Sequence, residues 1–335
     1  MKGKERITRA DVARRANVSE TIVSYVINNN RYVAKEKRIR VERAIAELNY
    51  RPNNVARTLK GKHSNQFLFI ADQITNEFFS RIVSDMDQYA YQAGYLISLC
   101  SNRNTMEFVS QVISRQYDGI IISSASFPIE YIREFIRVGI PVLVFRRQKL
   151  LEYPEGVAVV DTGLYTGARA CVRHLVQTGR QWIIYIDKIS RRGNSSPRDD
   201  SRLSGFIDEM NIWGIPVTED HIVTGFRSEE ELGQAVAEKL LSTPQIDGIF
   251  GRNDMVACIA MQASSKVGRG VGDDIGIIGF DNSSVSRFCS PKLTTMELQR
   301  EEISEHVIKI MVDMVNGRKP QFMEFETRLI TRDST

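Results

Sequence analysis

Seven polar or aromatic positions in the long C-terminal part of this chain could together hold a hydroxyl-rich small molecule. Asp72, Gln73 and Phe78 follow an apolar run at 67–71, Asp161 closes a second run, and Arg202 heads an amphipathic segment. Asn253 and Asp281 each follow a further apolar strand. Paired carboxylates, an amide and a guanidinium fork offer the donors and acceptors that several hydroxyls need. Their recurrence just beyond strand ends matches the place where open α/β sheets bind ligands. The signatures of catalysis are missing: there is no phosphate loop and no nucleophile elbow. Gly268-Arg269-Gly270-Val271-Gly272 follows no strand and reads as a surface turn. His63, His174, His221 and His306 lack metal-ligand spacing, so no metal and no cofactor is expected.

A second chemistry sits at the N-terminus. Residues 1–62 hold 16 Lys and Arg against 6 Asp and Glu, a net of +10, while the remainder carries −6. A basic head on an acidic body is the electrostatic footprint of a nucleic-acid-binding module. Thr8 with Asp11 forms a capping-box start, and Ile7, Val12 and Ala16 are expected to face inward. Ser19 caps a second helix with Ile22, Val23 and Val26 on one side. Arg15-Ala16-Asn17-Val18 makes the turn between them, with Asn17 left-handed. Two helices joined by about four residues make a helix-turn-helix. The second would lie in the major groove with Glu20, Thr21 and Tyr25 toward base edges. Thr8, Ser19, Ser24 and Asn28 would bond phosphates and set register. A third helix is predicted from Ala34 to Leu48, its stripe being Ile39, Val41, Ala44, Ile45 and Leu48.

These groups need a frame. From Phe67 onward apolar strands alternate with amphipathic helices. Strands are predicted near 67–71, 95–100, 119–123, 141–145, 182–187, 247–251 and 275–280, and helices near 77–93, 105–115, 129–138, 164–178, 199–212, 228–242, 253–265 and 300–316. Such alternation predicts parallel sheets covered by helices. Gln116-Tyr117-Asp118-Gly119 recurs as Gln245-Ile246-Asp247-Gly248, each before a strand, which points to two similar halves. The expected domains are therefore an all-α head, 1–62, and a two-lobed α/β body, 63–335. No run is long and apolar enough for a membrane span, and the N-terminus lacks an export signal. Cys100, Cys171, Cys258 and Cys289 are accordingly read as buried thiols in a reducing cytoplasm.

The head resembles the lactose-repressor (LacI/GalR) family of bacterial transcription regulators. The matching residues are Thr8, Asp11-Val12-Ala13, Ala16, Val18-Ser19, Val23-Ser24, Val26 and Asn28, then Arg38, Val41, Ala44-Ile45, Glu47-Leu48, Tyr50, Pro52-Asn53, Ala56-Arg57 and Leu59. The likeness continues through Arg202, Gly205-Phe206, Asn253-Asp254 and Gly279-Phe280-Asp281 to the end of the chain. It implies a homodimer on double-stranded operator DNA, and a periplasmic-binding-protein-like body that binds a sugar or related metabolite. It also implies that Asn53–Leu59 forms a hinge helix, with Asn53, Ala56, Arg57 and Leu59 in the minor groove and Leu59 wedging a base step.

Four departures stand out: Tyr25 where the family usually has arginine, Asp72-Gln73 and Asn76-Glu77 where it has Pro-Asp and Asn-Pro, Arg146 where it has an acid, and Ala34 where it has serine. Arg146, with Arg191, Arg192 and Arg198, would favour an anionic effector such as a sugar phosphate. Two other readings are a sugar-binding transport component and a sugar-acting enzyme. Deleting residues 1–62 would cost a regulator its DNA binding and leave a transport component's role intact.

Overall fold

A computed structural model describes residues 7–51, 63–72, 77–190 and 192–335. The chain divides into two compact units between Ser64 and Asn65, two residues beyond the expected boundary.

In the head, α1 (Arg9–Ala16), α2 (Glu20–Asn28) and α3 (Lys35–Glu47) follow one another. The Thr8 hydroxyl accepts from the Asp11 amide at 3.3 Å, and the Thr8 amide donates to the Asp11 carboxylate at 2.8 Å. The Ser19 hydroxyl accepts from the Ile22 amide at 3.4 Å. Asn17 takes φ 52°, the left-handed turn that its short amide tolerates. Val12, Ala16, Val23, Val26, Val41, Ala44 and Tyr50 bury together. Two expected inward residues do not. Ile7 precedes the first helix and is exposed, and Ile39 is 52% exposed. Ile39 lies two positions from fully buried Val41, about 200° around a helix, so both cannot face one core. The hinge positions Asn53, Ala56, Arg57 and Leu59 lie outside the described residues.

The body holds two six-stranded sheets. The first runs β11 (Phe322–Glu324), β5 (Val157–Asp161), β4 (Val142–Phe145), β3 (Gly119–Ser123), β1 (Gln66–Ala71), β2 (Leu96–Ser101), all parallel. The second runs β12 (Thr327–Ile330), β10 (Thr294–Leu298), β9 (Gly276–Phe280), β8 (Gly248–Gly251), β6 (Ile183–Ile186), β7 (Ile222–Val223), with only β12 antiparallel. The seven predicted strands all form, and β5 is the apolar run that Asp161 closes. The short or late β7, β10, β11 and β12 were not legible, and β11 and β12 each complete a sheet edge. The chain therefore crosses between lobes three times, after β5, after β10 and between β11 and β12.

The sequence echo marks a structural repeat. Asp118 accepts from the Asn65 amide at 2.9 Å, just before β1, and Asp247 accepts from the Trp182 amide at 2.8 Å, just before β6. In each lobe the aspartate thus stitches the strand it precedes, β3 or β8, to the neighbouring strand. The following glycine is required by space. A Cβ on Gly248 would come within 2.8 Å of Ile183, and one on Gly119 would strike the Met311 methyl.

Cys171 and Cys258 are buried as expected, but Cys100 and Cys289 are only half-buried. Burial pushes the Cys171 thiol up and holds it inert.

Candidate functional site

A cavity of about 760 Å³ opens between the two lobes at the carboxyl ends of both sheets. Its residues arrive by one rule: each strand ends and the chain turns into the cleft. Asp72 follows β1, Asn102 follows β2, Arg147 follows β4, Lys188 follows β6, Arg252 follows β8 and Asp281 follows β9. Phe78 and Phe79 add an aromatic wall, their rings 5.5 Å apart and edge-on.

Five of the expected residues line this cavity: Asp72, Phe78, Arg202, Asn253 and Asp281. Arg202 is 4% exposed and donates to Asp281 at 2.8 Å, with its guanidinium 4.5 Å over the Phe280 ring. Burial raises the Asp281 carboxyl, against the pull of Arg202 and Arg147. Asp281 also sits at φ 100°, a backbone conformation that costs energy in a non-glycine residue and clusters at functional sites. Asp72 accepts from the Ala125 amide at 3.0 Å, from the Ser126 hydroxyl at 3.1 Å and from Asn102 at 3.3 Å. Asn253 caps the helix Asp254–Lys266, accepting from the Val256 amide at 2.9 Å, and still faces the cavity.

Two expected residues are placed elsewhere. Arg146 pairs with Asp161 at 3.5 Å and lies against the Phe322 ring, beside a shallow surface pocket lined by Lys149–Pro154. The neighbouring Arg147 is the one that enters the cleft. Successive residues leaving a strand point to opposite faces, so one position decides the outcome. Phe145 and Phe79 pack in the same core, and Arg147 lies 5.7 Å over the Phe79 ring, on the Phe145 side of the strand. Asp161 serves the first crossing: its carboxylate accepts from the Gly163 amide at 3.0 Å, and its carbonyl from the Phe325 amide at 2.8 Å. Gly163 has φ 74°, and a Cβ there would fall 2.6 Å from the Phe325 carbonyl. Gln73 and Arg191 lie outside the described residues. Arg192 lines the cavity, whereas Arg198 is exposed and is not part of the lining.

Sequence reasoning missed Arg252, the most elaborate group in the cleft. It is 8% exposed and binds both oxygens of Asp200, at 2.9 and 2.8 Å, along with Ser196 at 2.9 Å, Tyr185 at 3.1 Å and Asp187 at 3.4 Å. Despite burial, Arg252, Arg202 and Arg147 hold the Asp200 carboxyl down at about 2. The available signal was its position directly after a buried strand.

Several contacts tie the lobes together beside the cleft, among them a backbone bridge in which the Arg147 carbonyl accepts from the Ser201 amide at 3.0 Å and the Lys149 amide donates to the Asp199 carbonyl at 2.9 Å. Glu77 of the first lobe accepts from the Ser284 amide at 2.9 Å and its hydroxyl at 2.8 Å in the second. On the other side Lys149 donates to Asp208 at 2.7 Å and to the Tyr165 hydroxyl at 2.9 Å.

Asp254, next to the capping Asn253, is 1% exposed. It accepts from the Ser283 hydroxyl at 2.8 Å and from the Thr295 hydroxyl. Burial first, and then the Asp281 charge, push its carboxyl up to about 7, against those hydrogen bonds. Because the folded value lies above the unfolded one, its stabilisation is full below about pH 3.9 and is lost as pH rises through about 7. Asp254→Asn is expected to flatten stability across that window, where the wild type declines. A melting-temperature series in buffered steps checks it; an unchanged pH slope in the variant would refute the assignment.

On the head, Glu20 and Thr21 are exposed at the first turn of α2, and Tyr25 is half-buried one turn on. Tyr25 is not part of the head core; the Arg31 guanidinium lies 5.3 Å over its ring. Asn28 donates to the Ser24 carbonyl at 2.8 Å and to its hydroxyl at 3.1 Å, so these two are coupled within the helix. Among the described residues no cluster of His, Cys, Asp and Glu could hold a metal ion, and no helix is long and apolar enough to cross a membrane.

Residues 8–53 match the family described as bacterial regulatory proteins, lacI family, and residues 172–335 match the periplasmic binding protein-like domain. The HTH-type transcriptional repressor PurR of Escherichia coli (strain SMS-3-5 / SECEC) is 32% identical over 334 residues, covering 97% of this chain and 95% of that protein. PurR of Escherichia fergusonii is 31% identical over 333 residues, covering 97% and 95%. Among solved structures, the lac repressor dimer bound to operator and the anti-inducer ONPF matches with a TM-score of 0.81 at 25% identity, covering 99% of each chain. The transcriptional regulator CelR in complex with cellobiose matches with a TM-score of 0.70 at 24% identity, covering 98% of this chain and 100% of that one.

Proposed function

Given that this chain belongs to the lacI family of bacterial regulatory proteins, and so is a DNA-binding transcriptional regulator, we propose that it is a homodimeric, cytoplasmic repressor whose operator affinity is set by a sugar or sugar derivative bound between the lobes. One observation carries this reading: a single chain joins a basic helix-turn-helix, with Glu20 and Thr21 exposed on its second helix, to a two-lobed body with a polar cleft.

In this reading Asp72, Arg202, Asn253 and Asp281 bind ligand hydroxyls, with Phe78 against the apolar face of the ring. Arg146 and Asp161 have no part in it. Three crossings allow the lobes to change angle, and the Glu77–Ser284 and Lys149–Asp208 contacts bias that angle toward the arrangement seen here. A ligand that touches both lobes changes the balance only through its different affinity for the two angles. That balance would reach the DNA through the segment 53–59. Thr8, Ser19, Ser24 and Asn28 position the head on phosphates. Glu20, Thr21 and Tyr25 read bases, and Asn53, Ala56, Arg57 and Leu59 enter the minor groove.

Selection of bound sequences from a random DNA pool tests the reading. The expected result is a pseudo-palindrome with half-sites of one sequence; recovery of no common sequence would refute it. On the selected site, Leu59→Ala should weaken binding by roughly tenfold or more and reduce bending, because a wedge must offset a few kcal/mol of unstacking. Unchanged bending by gel-shift phasing would remove the wedge role.

A further inference from the structure

We infer that the cleft ligand carries an anionic group, a phosphate monoester or a carboxylate, and that Arg147 receives it. The inference rests on the interlobe cleft being the effector site. It comes from matching the charges that line the cavity. Arg252 is satisfied by Asp200 and Asp187 behind it. Asp72 keeps its charge, held by the neutral donors Ser124, Ala125, Ser126 and Asn102, yet the lining still sets six cationic side chains against two carboxylates. Arg202 has one oxygen of Asp281, and its Nε is buried with no hydrogen-bond partner.

That leaves Arg147. Among the described residues no carboxylate lies within ion-pair distance of it, and its side chain makes no hydrogen bond there. Its one side-chain contact of note is the Phe79 ring at 5.7 Å. Arg103, Lys188 and Arg192 line the same cavity and also lack ion pairs among the described residues, but Arg103 and Arg192 are exposed to solvent and Lys188 is half-buried.

Asp200 and Asp281 act on Arg147 only from beyond ion-pair distance, and a desolvated cation with no counter-charge in contact is costly. Burial and the charges of Arg202 and Arg252 pull the Arg147 guanidinium down to about 10, against the more distant Asp200 and Asp281, so it is still charged at neutral pH. A neutral sugar would leave that charge unmatched. A phosphate or carboxylate would accept a planar, two-bonded fork from Arg147. The orphaned Arg202 Nε is a further donor in the same cleft. Asn253, Asp281 and the Asp72 Oδ2, which among the described residues accepts from the Ala125 amide alone, remain for hydroxyls.

The first test uses inorganic phosphate alone on the full-length protein. Melting temperature is measured in phosphate and in chloride at matched pH and ionic strength, for wild type, Arg147→Gln and Arg147→Lys. Phosphate should stabilise the wild type. Arg147→Gln should lose that effect and be more stable than wild type in chloride, having shed the unmatched charge. Arg147→Lys, which keeps a charge, should retain part of the phosphate effect. Equal stabilisation of wild type and Arg147→Gln, or stabilisation of neither, overturns the inference.

Calorimetry then compares ribose with ribose 5-phosphate, and glucose with glucose 6-phosphate and gluconate. Losing one partner of a buried charge pair corresponds to at least about 30-fold in affinity. An anionic ligand that binds should therefore exceed its neutral partner by that factor, and Arg147→Gln should erase the preference. Gluconate against the phosphates separates the two anion types. Tighter binding of a neutral sugar than of its anionic partner overturns the inference. Arg147-dependent anion binding that leaves operator affinity unchanged would instead sink the effector reading and leave the anion site standing.

Discussion

Arg252→Ala is expected to cost about 3–5 kcal/mol of folding stability at neutral pH, the cost of breaking a buried ion pair from one side. The arginine is almost wholly buried and is the shared partner of Asp200, Asp187, Ser196 and Tyr185. Its removal leaves the Asp200 carboxylate, 2% exposed, with only backbone donors at its helix cap. The penalty should depend on pH in a defined direction. In the wild type the Asp200 carboxyl is held at about 2, below its unfolded value of about 3.9. Its stabilisation is therefore present above about pH 3.9 and is lost as pH falls through about 2. Without Arg252 the carboxyl rises and protonates earlier, so the gap between variant and wild type should narrow at pH 4. Urea unfolding at the two pH values measures it. A cost under about 1 kcal/mol at pH 7 would show that the network is not the anchor described here.

Operator affinity should fall by about 10³–10⁵-fold between 50 and 200 mM salt if the dimer makes 6–10 phosphate contacts. The head concentrates 16 Lys and Arg in 62 residues. Several of these are engaged internally: Arg14 with Asp11, and Arg15 and Arg43 with Glu47. Lys35, Lys37, Arg40 and Arg51 are exposed and have no ion pair among the described residues, so they are free to displace counterions. Fluorescence anisotropy on a selected site gives the slope of log affinity against log salt. A flat line would contradict the electrostatic footprint of the head.

Much of the architecture was legible because it is written locally. A capping box needs only Thr8 and Asp11, and a helix start needs only Ser19. A buried parallel strand shows as an unbroken apolar run such as Gly119–Ser123. The Asp118 and Asp247 turns were visible as an echo because each repeats the same stitch in its own lobe. β11 and β12 escaped because they are edge strands without the buried apolar run that marks β4, β6 and β8. They also pair with strands laid down long before, so neither carries a pattern of its own.

The candidate site was legible only in part. Its position beyond strand ends followed from the alternation of strands and helices, and that rule brought Asp72, Phe78, Arg202, Asn253 and Asp281 to one cavity. It could not choose between Arg146 and Arg147, since that depends on which face of β4 packs on Phe79 and Phe69. Nor could it foresee that Asp161 would be engaged at a crossing, bonded to a residue more than a hundred positions away.

The sequence by itself therefore determined the two modules, the basic head with its capped helices and the kind of cleft the body makes, because each follows from charge, periodicity and caps within a few residues. Tertiary structure alone decided which cations in that cleft are neutralised. Arg252 meets Asp200 across 52 positions, and Arg202 meets Asp281 across 79. Whether a buried arginine is a structural tie or a free ligand-binding fork is settled by such distant partners, and among these residues Arg147 is left without one.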